Sequence, residues 1–164
     1  MSYRIVPIPD TVAQEVRQTR SSPGYKHPVH GAVATGYGPC RSCLKPFEKG
    51  VERRLLFTYD AFAGREELPL PGPVFVHEEA CTPYAESDRF PEELRFIPMT
   101  LNAYGRGRQL REVAYVEPHG DVEAAIAGLL ARDDVDYIHV RNTEAGCYMF
   151  TIERSGEAAV SVTE

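Results

Sequence analysis

The chain has 164 residues, a mass of 18.3 kDa, 43% hydrophobic and 26% charged residues, and a net charge of −6. This composition excludes an intrinsically disordered chain, and the length suits one domain, 1–164, with a sizeable core. Charge is uneven, +4 over residues 1–60 and −10 over 61–164, and the acidic majority argues against a dedicated nucleic-acid binder.

Tyr3 to Pro7 reads as a short strand with Ile5 buried. Asp10 is expected to cap a helix in which Val12, Ala13 and Val16 share a face, ending near Ser21-Ser22-Pro23-Gly24. Residues 21–39, with Gly, Pro and Ser throughout, read as loop. Arg53 to Tyr59 and Pro73 to His77 are strand candidates, and the AFAGREELPLPG segment between them reads as a long exposed loop.

Residues 99–104 and 109–116 are expected to form a hairpin through Gly105-Arg106-Gly107-Arg108. Asp121 then caps a helix whose Val122, Ala125, Ile126, Leu129 and Leu130 form one apolar stripe. Strands Tyr137–Arg141 and Cys147–Arg154 follow, joined by a five-residue loop, Asn142 to Gly146. The last ten residues are weakly patterned and expected to fray. Strands ordered by hairpins, with few helices, give an α+β fold with a mostly antiparallel sheet. Three segments compose it: 1–38 (strand, helix, loop), 39–84 (metal-binding) and 95–154 (a sheet with one packed helix).

Four cysteines are too few for a disulfide-stapled miniprotein and enough for one four-ligand metal site. The start, MSYRIVPIPD, lacks a signal peptide's apolar stretch, and no apolar run nears the roughly 18 residues of a membrane span. A reducing, cytoplasmic setting without a membrane is therefore expected.

Cys40-Arg41-Ser42-Cys43 is followed by His77 and Cys81. A C-x2-C turn can point two thiolates at one ion, and a helical turn after His77 would bring His77 and Cys81 toward the same point. Three Cys and one His form a closed tetrahedral set that Zn2+ favours. Two other readings compete: small buried cysteines beside a strand-end histidine, or a redox pair that lacks the usual βαβ context.

In Tyr137-Ile138-His139-Val140-Arg141, alternation puts His139 and Arg141 on one face, and Cys147 and Met149 on that same face. The core set of the last strand is then Tyr148, Phe150 and Ile152. A Cys near His and Arg can serve as a nucleophile or an anion-binding notch, against a plain polar sheet face. His27, His30 and His119 fall in polar loops and read as exposed. Gly105-x-Gly107 lacks the third glycine of a dinucleotide loop, and no P-loop, G-x-S-x-G or H-E-x-x-H occurs. The acidic pairs Glu66-Glu67, Glu78-Glu79, Glu92-Glu93 and Asp133-Asp134 read as solvated charge.

Cys40-x2-Cys43, Phe47, Lys49-Gly50 and Arg53 resemble the first half of a poly(ADP-ribose) polymerase-type zinc finger over about forty residues. Three residues separate His77 from Cys81 and no aromatic precedes the His, so the resemblance carries ligand logic and not DNA binding. Gly38-Pro39-Cys40-Arg41-Ser42-Cys43-Leu44, Gly72 to His77 with Cys81, and Tyr137 to Asn142 with Gly146-Cys147 resemble a bacterial family known as domain of unknown function 1203. That resemblance spans nearly the whole chain and implies a small single-domain cytoplasmic protein, without an activity. It also implies a shared pocket around Cys40, Arg41, Arg141 and Cys147.

Two functions follow. One is a binding or interaction module, clamped by a structural Zn2+ on Cys40, Cys43, His77 and Cys81, with a small molecule or protein as partner. The other is a cysteine-dependent enzyme or redox protein acting on an acidic small molecule through Cys40, Arg41, His139, Arg141 and Cys147.

Overall fold

A computed structural model describes residues 2–66 and 69–155. The described residues form eight strands and two α-helices, and the strands make two antiparallel sheets, so the fold is α+β as expected. No helix among the described residues is long and apolar enough to cross a membrane. The chain divides into two compact units, described in turn.

The first unit comprises residues 2–6, 85–146 and 150–155. It carries β1 (Tyr3–Val6), β5 (Met99–Gly105), β6 (Gln109–Val116), α2 (Val122–Leu130), β7 (Tyr137–Asn142) and most of β8 (Tyr148–Arg154). The sheet order is β1-β8-β7-β5-β6. Gly107, at φ +71°, turns the β5–β6 hairpin where a side chain would be strained. The Asp121 side chain caps α2 by accepting from the Ala124 amide at 3.0 Å. Val122, Ile126, Leu129 and Leu130 are buried, which is four of the five stripe positions. The β7–β8 turn is closed by Asn142, whose Oδ1 accepts from Glu144 N at 2.9 Å and Ala145 N at 3.2 Å.

The expected polar face of the last hairpin is not found. Met149 and Thr151 are buried along with Tyr148, Phe150 and Ile152, and His139 is buried with Ile138 and Val140. These strands are covered on both faces, so alternation does not sort their residues into core and solvent.

The second unit comprises residues 7–84 and 147–149. Its elements are α1 (Asp10–Thr19), β2 (His30–Val33), β3 (Arg53–Asp60) and β4 (Pro71–His77), the strands forming one sheet in that order. Leu55 pairs with Val76 and Phe57 with Val74, so all four share one sheet face. They pack in one cluster with Ile8, Ala13 and Val16, and each of the larger aliphatic and aromatic side chains contributes about 1.5–3 kcal/mol by leaving water.

Three local expectations are corrected here. Pro9 occupies the N-cap of α1, and Asp10 instead sits in the first turn, accepting from Gln14 Nε2 at 2.5 Å. Its negative charge still suits the helix N-terminus. The supposed loop 21–39 contains β2, whose residues are all exposed and therefore leave no hydrophobic alternation to read. His77 and Cys81 are joined by bends rather than a helical turn. His27, His30 and His119 are exposed as expected. Residues 156–164, most of the tail expected to fray, lie outside the described residues, as does Glu67.

Candidate metal centre

The site is built on a turn docked to a strand end. Gly38, at φ +89°, admits no side chain: a Cβ there would fall 2.3 Å from Phe47 Cδ2. The chain then folds over Cys40, with the Leu44 amide donating to Cys40 O and the Cys40 amide to Lys45 O, both at 3.0 Å. The Arg41 amide donates to Phe75 O at 3.0 Å, fastening this turn beside β4. Strand β4 delivers His77 at its last position, and the Tyr84 amide donates to Ser42 O at 3.0 Å, drawing in the segment that carries Cys81.

Cys40, Cys43, His77 and Cys81 converge, with all four ligand atoms within 4.8 Å of one another. Cys40 Sγ lies 3.8 Å from Cys81 Sγ, and Cys43 Sγ lies 3.5 Å from His77 Nδ1. Two sulfurs about 2.3 Å from a common tetrahedral centre are separated by about 3.8 Å, and a sulfur and an imidazole nitrogen by about 3.5 Å. Two of the six donor pairs thus have the spacing of a tetrahedral centre, and the four atoms together lie within 4.8 Å. All four cysteines are free thiols.

Two donors reach the sulfurs from outside the cluster. The His77 amide donates to Cys40 Sγ at 3.3 Å, and Arg17 Nη2 donates to Cys81 Sγ at 3.4 Å. Arg17 Nε also donates to His77 O at 3.0 Å, tying α1 to the half of the site that carries His77 and Cys81. His77 Nε2 lies 3.0 Å from Glu52 Oε2. Nδ1 thus faces the sulfurs, while Nε2 lies within ion-pair distance of a carboxylate without making a hydrogen bond to it. Phe47 packs edge-on against the His77 ring at 4.7 Å.

Without an ion the donors share protons unevenly. Hydrogen bonding to Cys40 and Cys81 raises His77 to about 10. Hydrogen bonds from Cys40 and Cys43 hold the Cys81 thiol far below its usual range, and those to Cys40 and Cys81 push Cys43 up. Three sulfurs this close cannot all ionise unless a cation joins them.

A family model described as "Protein of unknown function (DUF1203)" matches residues 37–154. The chain belongs to the DUF1203 family. No curated protein and no solved structure matches it. The matched region contains the four converging residues and Cys147.

Of the second candidate group, the structure brings Arg41 to Cys147. Arg41 is 1% exposed, with Nε on Tyr148 O at 2.7 Å, Nη1 on Pro39 O at 2.5 Å and Nη2 on Cys147 Sγ at 3.0 Å. Burial lowers its pKa, and Cys147 is the largest influence opposing that shift. Cys40 belongs to the metal cluster. His139 and Arg141 lie in the first unit, where the His139 ring packs 5.3 Å from Tyr104 and 5.2 Å from Tyr137. Arg141 Nη1 there donates to Gly146 O at 3.4 Å.

Sequence reasoning did not identify Glu52 or Arg17. Neither has a spacing relation to the ligands, since both reach the site through tertiary packing alone.

Proposed function

We propose that the chain is a binding or interaction module of a reducing cytoplasm, whose residues 7–84 are clamped by one structural Zn2+. Cys40, Cys43, His77 and Cys81 would hold it. The observation that carries this reading is the pair of donor spacings, 3.8 Å between sulfurs and 3.5 Å from sulfur to Nδ1. Four protein ligands complete a tetrahedron, so the ion would crosslink rather than activate water. The free thiols fit a reducing compartment.

The clamp has a physical reason. A long connection, 34–52, joins two strands of a small three-stranded sheet, and metal binding adds folding free energy where burial is limited.

The test is metal content after purification without an affinity metal. One zinc per chain, lost together with thermal stability in Cys81→Ser, supports the reading. Metal-free folded protein with four titratable thiols overturns it.

A further inference from the structure

The five-stranded sheet of the first unit has two edges, β1 and β6, and they differ. Along β1 the Ile5 amide donates to Ser87 O at 2.7 Å, so a neighbouring segment covers that edge. Along β6 the described residues pair only with β5, and no other backbone hydrogen bond among them reaches Gln109–Val116. An open edge presents a row of N–H and C=O groups, which is a template for another strand. Proteins commonly blunt such an edge by shortening it or by placing Pro or Lys on it. Strand β6 is eight residues long and contains neither. Leu110 is 53% exposed and Tyr115 75%, so large apolar groups accompany the open backbone.

A bulge limits where a second strand can join. Tyr104 pairs with Leu110 and Ala103 with Glu112, so Arg111 has no residue opposite it on β5. The regular stretch of the edge is therefore Glu112–Val116, with Ala114 at its centre. Arg111 flanks this stretch on one side and Glu117 on the other. Opposite charges at the two ends make the stretch complementary to a reversed copy of itself.

We propose that β6 pairs with β6 of a second copy of this chain, antiparallel about a two-fold axis at Ala114. Val113 then stands opposite Tyr115 of the other copy, and Arg111 opposite its Glu117, each contact occurring twice. A β-branched residue facing an aromatic one and two opposite charges are both favourable cross-strand pairs. Neighbouring registers lose this match. Centring on Glu112 would oppose two like carboxylates, and centring on Val113 would leave Arg111 without an acid opposite it. Within its own chain Arg111 Nε lies 3.8 Å from Asp134 Oδ2, one long contact that leaves other donors for Glu117. None of these residues belongs to the metal cluster, so the proposal does not depend on the zinc reading.

The experiment is sedimentation velocity on the full chain in reductant. Chain concentrations run up to about 1 mM, because a strand-pair interface is small and small interfaces are weak. A reversible monomer–dimer equilibrium is expected, with amide hydrogen exchange over residues 112–116 slowed where the dimer forms. Arg111→Glu and Glu117→Arg each set like charges against one another at two symmetric positions. Each is expected to weaken the dimer roughly tenfold, with thermal melts checking that the variants are folded. The double variant, Arg111→Glu with Glu117→Arg, restores opposite charges and is expected to recover most of that loss. A monomer throughout the concentration range overturns the proposal. A dimer that the single variants leave unchanged, or that the double variant fails to restore, overturns it as well.

Discussion

The Glu52 carboxylate lies 3.0 Å from His77 Nε2, the ring nitrogen turned away from the sulfur cluster. Glu52 is itself anchored, because its Oε1 accepts from the Glu48 amide at 2.7 Å. A carboxylate this close to the outer nitrogen raises the basicity of a ligating histidine through its charge. Glu52→Gln keeps the shape and removes the charge. Zinc affinity, measured by competition with a chromophoric chelator, is expected to fall about 10–100-fold. Unchanged affinity would separate Glu52 from the site.

Gly38 and Phe47 make a second coupled pair. Gly38→Ala places a methyl group against the Phe47 ring and puts Ala at φ +89°. Backbone strain and overpacking each cost about 1–3 kcal/mol. Phe47→Ala removes the clash and leaves the strain. Gly38→Ala is therefore expected to cost less in the Phe47→Ala background, by at least about 1 kcal/mol in urea denaturation. Additive effects would show that the ring is not what excludes a side chain.

The ligand set was legible because Cys and His are scarce and their identity declares their chemistry. The hairpins and α2 were legible because glycines, Asn142 and Asp121 mark their own turns and cap locally. Strand β2 was not legible, since His30–Val33 is exposed throughout and defined only by its partner β3. His139 was misplaced for the opposite reason: a strand covered on both faces has no polar side, and Tyr104 and Tyr137 enclose the ring. Arg41 carried no sign of burial, because its three acceptors come from positions 39, 147 and 148.

In the first unit, Arg95 donates through Nη1 to Glu123 Oε1 at 3.0 Å and through Nε to Glu92 Oε1 at 2.8 Å. Hydrogen bonding to Arg95 lowers the Glu123 pKa below the ordinary 4.5. A depressed carboxylate pKa stabilises the fold above the unfolded value and loses that contribution as pH falls through the folded one. The pair is solvent-facing, so its worth is at most about 1 kcal/mol. Glu123→Gln is expected to lower Tm at pH 7, with the difference from wild type shrinking as pH drops below about 4.5. A Tm difference that persists unchanged in acid would assign the effect to packing.

The contact between Arg41 Nη2 and Cys147 Sγ, 3.0 Å long, can be read from stability. Removing the partner of a buried cation leaves a desolvated donor unmatched, at a cost of about 1–3 kcal/mol. Cys147→Asp keeps a negative charge within reach of Arg41 Nη2, and Cys147→Asn has nearly the same shape without it. If the sulfur is the counter-ion, the Asp variant is expected to melt above the Asn variant at pH 7. The gap should close as pH falls through the carboxylate range, because protonation makes the two side chains equivalent in charge. An Asn variant as stable as Asp at pH 7 would mean that Arg41 is held by the carbonyls of Pro39 and Tyr148 alone.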